Sequence, residues 1–326
     1  IALSIASWLT MAIIVAILSF MMDPGSWRTE KSLLTGFLNP VYPAQLAFRT
    51  PLAMMMGGCV TLALIPFFVK NNEQLRRAEL RLSGAWTLAW TPFLILGSVY
   101  YYNVIPDMMR QNMSAALGTM EFSSWYDNLL YVVAVAAVVI CLVAGLSIIA
   151  RWRMPTFGLM LPILLAITLM TEFERTREFI RKPFVIADYM YSNQLRPAEY
   201  ALLKRDGILK YATYVKHRVI NPQNKIEAGK DVFMLACSRC HTSGGINSVV
   251  EKFRNLLGSN ELATEAMVGY MRNMEKSRYF MPPFPGNEAE LEALAEYIQA
   301  ISKYPDPAEG AQEIGVSMPK GDRSSR

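Results

Sequence analysis

Five long apolar runs fill the first half of this 326-residue chain, and they restrict its fold more than any other feature. They lie at about 2–22, 50–69, 84–104, 129–150 and 155–172. About 20 mainly apolar residues in a helix cross the hydrocarbon core of a bilayer. A backbone in lipid must satisfy its own hydrogen bonds, so runs of this length read as spanning helices. The composition agrees, since 52% of the residues are hydrophobic. The first run is longer than a signal-peptide core and no small-residue cleavage site follows it, so it reads as a retained span. Pro66, Pro92 and Pro162 fall inside spans and predict kinks supported by neighbouring helices. Gly57 and Gly58 predict a close helix approach.

Loop charge predicts an orientation. Lys70, Arg76, Arg77 and Arg81 lie between runs two and three, and Arg151 and Arg153 between runs four and five. Both stretches are expected on the cytoplasmic side. The stretch between runs three and four carries Arg110 as its only cation, with Trp125 and Tyr126 as interfacial anchors before run four. Everything after 172 is then expected outside. The net charge of +5 comes with no basic cluster suited to nucleic acid.

The second half carries the chemistry. Residues 235–245 read LACSRCHTSGG, and Cys237, Cys240 and His241 form the Cys-x-x-Cys-His signal for covalent attachment of a c-type haem. The two thiols bond the porphyrin and the histidine takes one axial position on iron. Upstream, Gly229, Phe233 and Cys237 recur every four residues and share one helix face. Downstream, Leu291, Leu294, Tyr297, Ile298 and Ile301 follow the 3 and 4 spacing of an amphipathic helix. Met281, before Pro282 and Pro283, is the expected sixth ligand; a thioether favours ferrous iron. Met267, Met271 and Met274 are rivals on a preceding helix. A zinc site would need a fourth ligand beside Cys237, Cys240 and His241, and the sequence offers none nearby. A thioredoxin-like reading lacks its βαβ context.

The chain has two histidines, His217 and His241. None lies in an apolar run, so a bis-histidine haem b within this membrane half is excluded. His217 reads as a surface residue. Cys59 and Cys141 read as small apolar side chains within spans.

Two resemblances follow from these residues. The stretch 222–304 resembles a class I cytochrome c domain, with its first and last helices crossing. The segments FLNPVYPAQLAFRTPLA (37–53) and TEFERTREFIRKPFVIADYM (171–190) resemble, in the same order, two motifs of cytochrome bd-type quinol oxidase subunit I. That resemblance implies a haem b histidine in the first motif, where Phe48 or Arg49 stands here. The chain therefore looks like a haem-b-free relative fused to a cytochrome c domain.

The expected fold is all-α, with about five transmembrane helices followed by a C-terminal class I cytochrome c domain. The expected organisation is a membrane domain over 1–172, an interfacial connector over 173–221, the cytochrome c domain over 222–305 and an extended tail over 306–326. The expected cofactor is one covalent haem c. The expected function is that of a non-catalytic electron-transfer subunit of a bacterial respiratory complex, multi-pass in the inner membrane with the haem domain outside. Its partners would be other membrane subunits, themselves haem-bearing, which deliver electrons from quinol, and a c-type or multihaem cytochrome as acceptor. A membrane-anchored haem c shuttle, or a haem-based sensor or scaffold, is the alternative. In the 171–200 stretch, Glu172, Glu174 and Glu178 alternate with Arg175, Arg177, Arg181 and Lys182. They read as i,i+3 and i,i+4 ion pairs of an interfacial helix, against a quinol head-group site.

Overall fold

The structure is a computed structural model that describes residues 1–118, 129–149 and 154–314. Arg151, Arg153, Trp125, Tyr126 and the tail beyond 314 lie outside the described residues. The chain divides into two compact units, 1–181 and 182–326.

The first unit is helical. In order come α1 (Ala2–Met22), α2 (Trp27–Glu30), α3 (Leu33–Phe37), α4 (Tyr42–Phe68), α5 (Glu73–Val104), α6 (Asp107–Gln111), α7 (Met113–Gly118), α8 (Leu129–Ile149) and α9 (Thr156–Ile180). Five of them, α1, α4, α5, α8 and α9, are long and apolar enough to cross a membrane. Their outer faces are uncovered by protein, with Leu3 80%, Ile149 72% and Phe157 71% exposed. Side chains of that size fit hydrocarbon or other helices and not water.

The charged stretch after α4 is mostly helix, not loop. Asn72 caps α5 by accepting a hydrogen bond from the Leu75 amide at 2.9 Å. Arg76, Arg77 and Arg81 therefore sit on its first turns. At 1.5 Å per residue the 32 residues of α5 reach about 48 Å. That exceeds the roughly 30 Å hydrocarbon core, so its charged end projects beyond the lipid.

Of the two expected small residues, only Gly58 serves close packing. A Cβ there would come within 2.3 Å of Thr87 Oγ1 on α5, whereas Gly57 faces open space. Periodicity alone does not distinguish adjacent glycines on a helix; the neighbour does. The spans also bond across one another. The Trp86 indole N–H donates to the Met54 carbonyl at 2.9 Å, and the Ser147 hydroxyl bridges the Leu80 and Ala144 carbonyls at 3.0 and 2.6 Å.

The second unit opens with a short antiparallel hairpin, β1 (Phe184–Ile186) and β2 (Met190–Tyr191). Then follow α10 (Tyr200–Asp206), α11 (Lys225–Ala236), α12 (Val249–Leu257), α13 (Thr264–Met271), α14 (Met274–Ser277), α15 (Glu288–Ser302) and α16 (Pro307–Glu313). One apolar core joins α10 to α15, with Met267, Leu294, Ile298 and Ile301 fully buried. Of the stretch 173–221 read as a connector, 173–181 belongs to α9 and the first unit, whereas the rest folds with this unit: Leu203, Ile208 and Leu209 are core residues. The start of the stretch read as an extended tail is α16. Asp306 caps it by accepting from the Ala308 amide at 2.8 Å, and Lys230 donates to the Ala311 and Ile314 carbonyls. Composition suggested an arm; Pro at the helix start, an acidic cap and one half-buried lysine make it a helix.

Glu290 binds the connector to this core. It is 3% exposed, and its carboxylate accepts from the amides of Ile208 (2.9 Å), Leu209 (2.8 Å) and Asn287 (3.1 Å). Glu290→Ala leaves two buried amides without acceptors, each costing about 1–3 kcal/mol. We expect a loss of about 3 kcal/mol in denaturant unfolding, with hydrogen exchange at Ile208 and Leu209 rising before that of α15.

Candidate haem c site

The site is built where α11 ends. The helix stops at Ala236, and Cys237 caps it with its amide bonded to the Phe233 carbonyl at 2.9 Å. A tight turn follows: the amides of Cys240 and His241 both bond the Cys237 carbonyl, at 3.0 and 2.9 Å. Two residues between the cysteines are what this turn accommodates, so the backbone brings both thiols and the imidazole to one end of α11. Cys237 is half-buried against the core, and Cys240 is exposed.

Asn247 orients the histidine. His241 Nδ1 lies 3.3 Å from the Asn247 carbonyl oxygen, so Nδ1–H donates and Nε2 is left as the ligand atom. The Asn247 side-chain amide returns a hydrogen bond to the Cys240 carbonyl. Asn247 has φ of +59°, a left-handed conformation that asparagine tolerates. The loop is closed by Thr242 Oγ1 donating to the Ile246 carbonyl at 2.6 Å and Ser248 Oγ donating to the Ser243 carbonyl at 2.8 Å. Burial holds the His241 pKa below its usual range, partly offset by the Asn247 carbonyl and reinforced by the nearby Lys252 charge. The imidazole is therefore neutral at physiological pH, as a metal ligand requires.

Burial pushes the Cys237 thiol up to about 12, and the neighbouring Cys240 adds to this. Among the described residues no three His, Cys, Asp or Glu side chains converge as metal ligands. Two thiols and an imidazole with a free Nε2 fit covalent haem attachment.

Met267 and Met271 are 0% and 4% exposed in the core, whereas Met274 is half-buried against it. Met281 is half-buried in the loop between α14 and α15. Its amide bonds the Arg278 carbonyl at 2.7 Å, and the buried Phe284 anchors the loop after the two prolines. Glu290 steadies the far end, since a Cβ on Gly286 would lie 2.5 Å from its Oε2. His217 is half-buried and pairs through Nδ1 with Asp231 on α11 at 3.0 Å.

Asn247 and Glu290 were missed by sequence reasoning. Asn287 and Glu290 carry a signal for one of them, the Asn-x-x-Glu capping box, which the structure forms in full. Nothing in sequence says that the same carboxylate also serves the connector. Asn247 sits in a turn-rich string that marks a loop but not its partner.

In the membrane unit the segments 37–53 and 171–190 meet. Arg49 donates to Glu174 at 2.6 Å across 125 residues of sequence. Phe48 is buried, stacked on Tyr101 with ring centroids 5.8 Å apart and packed on Phe173 at 4.9 Å. Where the resemblance implies a haem ligand, an aromatic cluster stands. The acidic and basic residues of α9 pair as i,i+3 neighbours: Arg177 with Glu174 at 2.8 Å, Arg181 with Glu178, and Arg175 with Glu172 at 3.8 Å.

These features define a multi-pass helical chain carrying a c-type cytochrome domain, the class of protein that transfers electrons through covalently bound haem c. Residues 224–298 match the family model for cytochrome c oxidase, cbb3-type, subunit III. The match covers the haem domain and does not reach the membrane half, and the bd resemblance has no support from these comparisons. No curated protein and no solved structure matches the chain.

Proposed function

We propose that this chain is the mono-haem electron-transfer subunit of a bacterial membrane respiratory complex. Cys237 and Cys240 would hold the haem, with His241 and Met281 as axial ligands. Bound there, haem supplies a one-electron ferric–ferrous couple with both axial positions filled, which favours electron transfer over oxygen chemistry. The chain would receive electrons from quinol through partner subunits and deliver them to a c-type or multihaem cytochrome on the outer side of the inner membrane. The single observation that carries this reading is a family-matched cytochrome c domain joined to five spans that contain no histidine. Arg76, Arg77 and Arg81 at the projecting end of α5 support the orientation. Five spans exceed what an anchor needs, which favours a complex over a shuttle.

The test is a reduced-minus-oxidised spectrum of the purified chain before and after its partners are stripped away. We expect a c-type band alone in the stripped chain, with any b- or d-type bands leaving with the partners. A b-type band retained by the stripped chain would refute the haem-b-free reading. Carbon monoxide binding to the reduced chain at neutral pH would favour the sensor instead.

A further inference from the structure

Two grooves mark the lipid-facing surface of the spanning helices. One, between α4 and α5, is apolar and aromatic, lined by Pro51, Trp90, Phe93 and Tyr100 among others. The other, about 360 Å³ between α4 and α9, is graded. Met56, Ile167 and Met170 form its apolar part, and Thr171, Glu174 and Arg175 its polar part. On α9 these residues recur at i, i+3, i+4, i+7 and i+8 from Ile167, so the groove runs about 12 Å along one helix face. It passes from hydrocarbon character to charge at the end of the span.

Among the described residues, Glu172, Glu174 and Glu178 pair with Arg49, Arg175, Arg177 and Arg181 there. Both Glu174 oxygens are taken, by Arg49 at 2.6 Å and Arg177 at 2.8 Å. Arg49 Nε and Arg177 Nη1 are buried without a hydrogen-bond partner among the described residues. Arg175, half-exposed at the groove, has one long ion pair of 3.8 Å, to Glu172. A quinol would need a free base, and the Glu174 carboxylate is engaged at both oxygens. Guanidinium N–H groups stay unpaired here among the described residues, and an anion is what such donors bind.

We propose that the α4–α9 groove binds one anionic phospholipid, its phosphate on Arg175 and an acyl chain along Met56, Ile167 and Met170. A phosphate accepts bidentate bonds from a guanidinium, and the chain replaces exposed apolar side-chain surface. This reading is independent of the haem domain.

The test uses the full haem-loaded chain in detergent, with native mass spectrometry after adding dioleoyl phosphatidylglycerol or dioleoyl phosphatidylcholine. We expect one phosphatidylglycerol to be retained at concentrations where phosphatidylcholine is lost. Arg175→Gln, at a half-exposed site that leaves the fold intact, should weaken retention about tenfold. Met170→Trp, which fills the apolar part, should weaken it as well. Equal retention of both lipids, or undiminished retention by Arg175→Gln, would overturn the proposal. So would an isoprenoid quinone that co-purifies one per chain and is lost in Met170→Trp, which would assign the groove to quinol.

Discussion

Met281→His is expected to lower the reduction potential of the haem by on the order of 200 mV, within the roughly 0.8 V range that axial ligands command. A thioether is soft and neutral and favours ferrous iron; an imidazole is a stronger donor and favours ferric iron. The loop should tolerate the exchange, because its shape rests on the backbone bond from Met281 to Arg278, on two prolines and on the buried Phe284. The measurement is a spectroelectrochemical titration, with the methionine-to-ferric-iron charge-transfer band as a second readout. That band should vanish while the haem stays attached through Cys237 and Cys240. An unchanged potential and an unchanged band would show Met281 to be a packing residue.

Gly229→Val is expected to abolish stable folding of the cytochrome unit. Gly229 lies where α11 crosses α15. A Cβ there would fall 2.0 Å from the Ala293 carbonyl oxygen and 2.9 Å from Tyr297 Cβ. The first of these is backbone, so no rotamer relieves it, and the helices must separate. Separation would open the contact between Phe233 and Tyr297, whose rings lie 5.7 Å apart, and loosen a core that also holds Leu294 and Ile298. Overpacking of this kind costs about 1–3 kcal/mol for a methyl in a relaxable site and more against backbone. Gly229→Ala should therefore lose about 3 kcal/mol in denaturant unfolding, and Gly229→Val should accumulate with little covalent haem. The ratio of haem absorbance to protein reads this directly. Full haem loading in Gly229→Val would mean that the crossing is not needed to form the site.

Much of this architecture is legible locally. The five spans follow from hydrophobic length, and α15 from its apolar spacing. The turn at Cys237 to His241 follows from a two-residue gap that a helix end can close. These features depend on near neighbours in the chain, and lipid or a single helix face sets their pattern. The connector and the tail were less legible. Residues 200–209 look polar and loosely helical, and the burial of Leu203, Ile208 and Leu209 together with the Glu290 carboxylate, 81 residues away from Leu209, makes them part of the core. The helical start of the tail depends on Lys230, again distant in sequence.

The sequence by itself determined that this is a membrane chain of five spans carrying a Cys-x-x-Cys-His haem attachment signal, because those properties reside in run length and residue spacing. The tertiary structure decided which of two adjacent glycines meets a neighbour, which methionines are buried in the core, which nitrogen of His241 is free and which charges of α9 are spoken for. Each of these is set by a partner brought near by folding, and spacing along the chain carries no record of it.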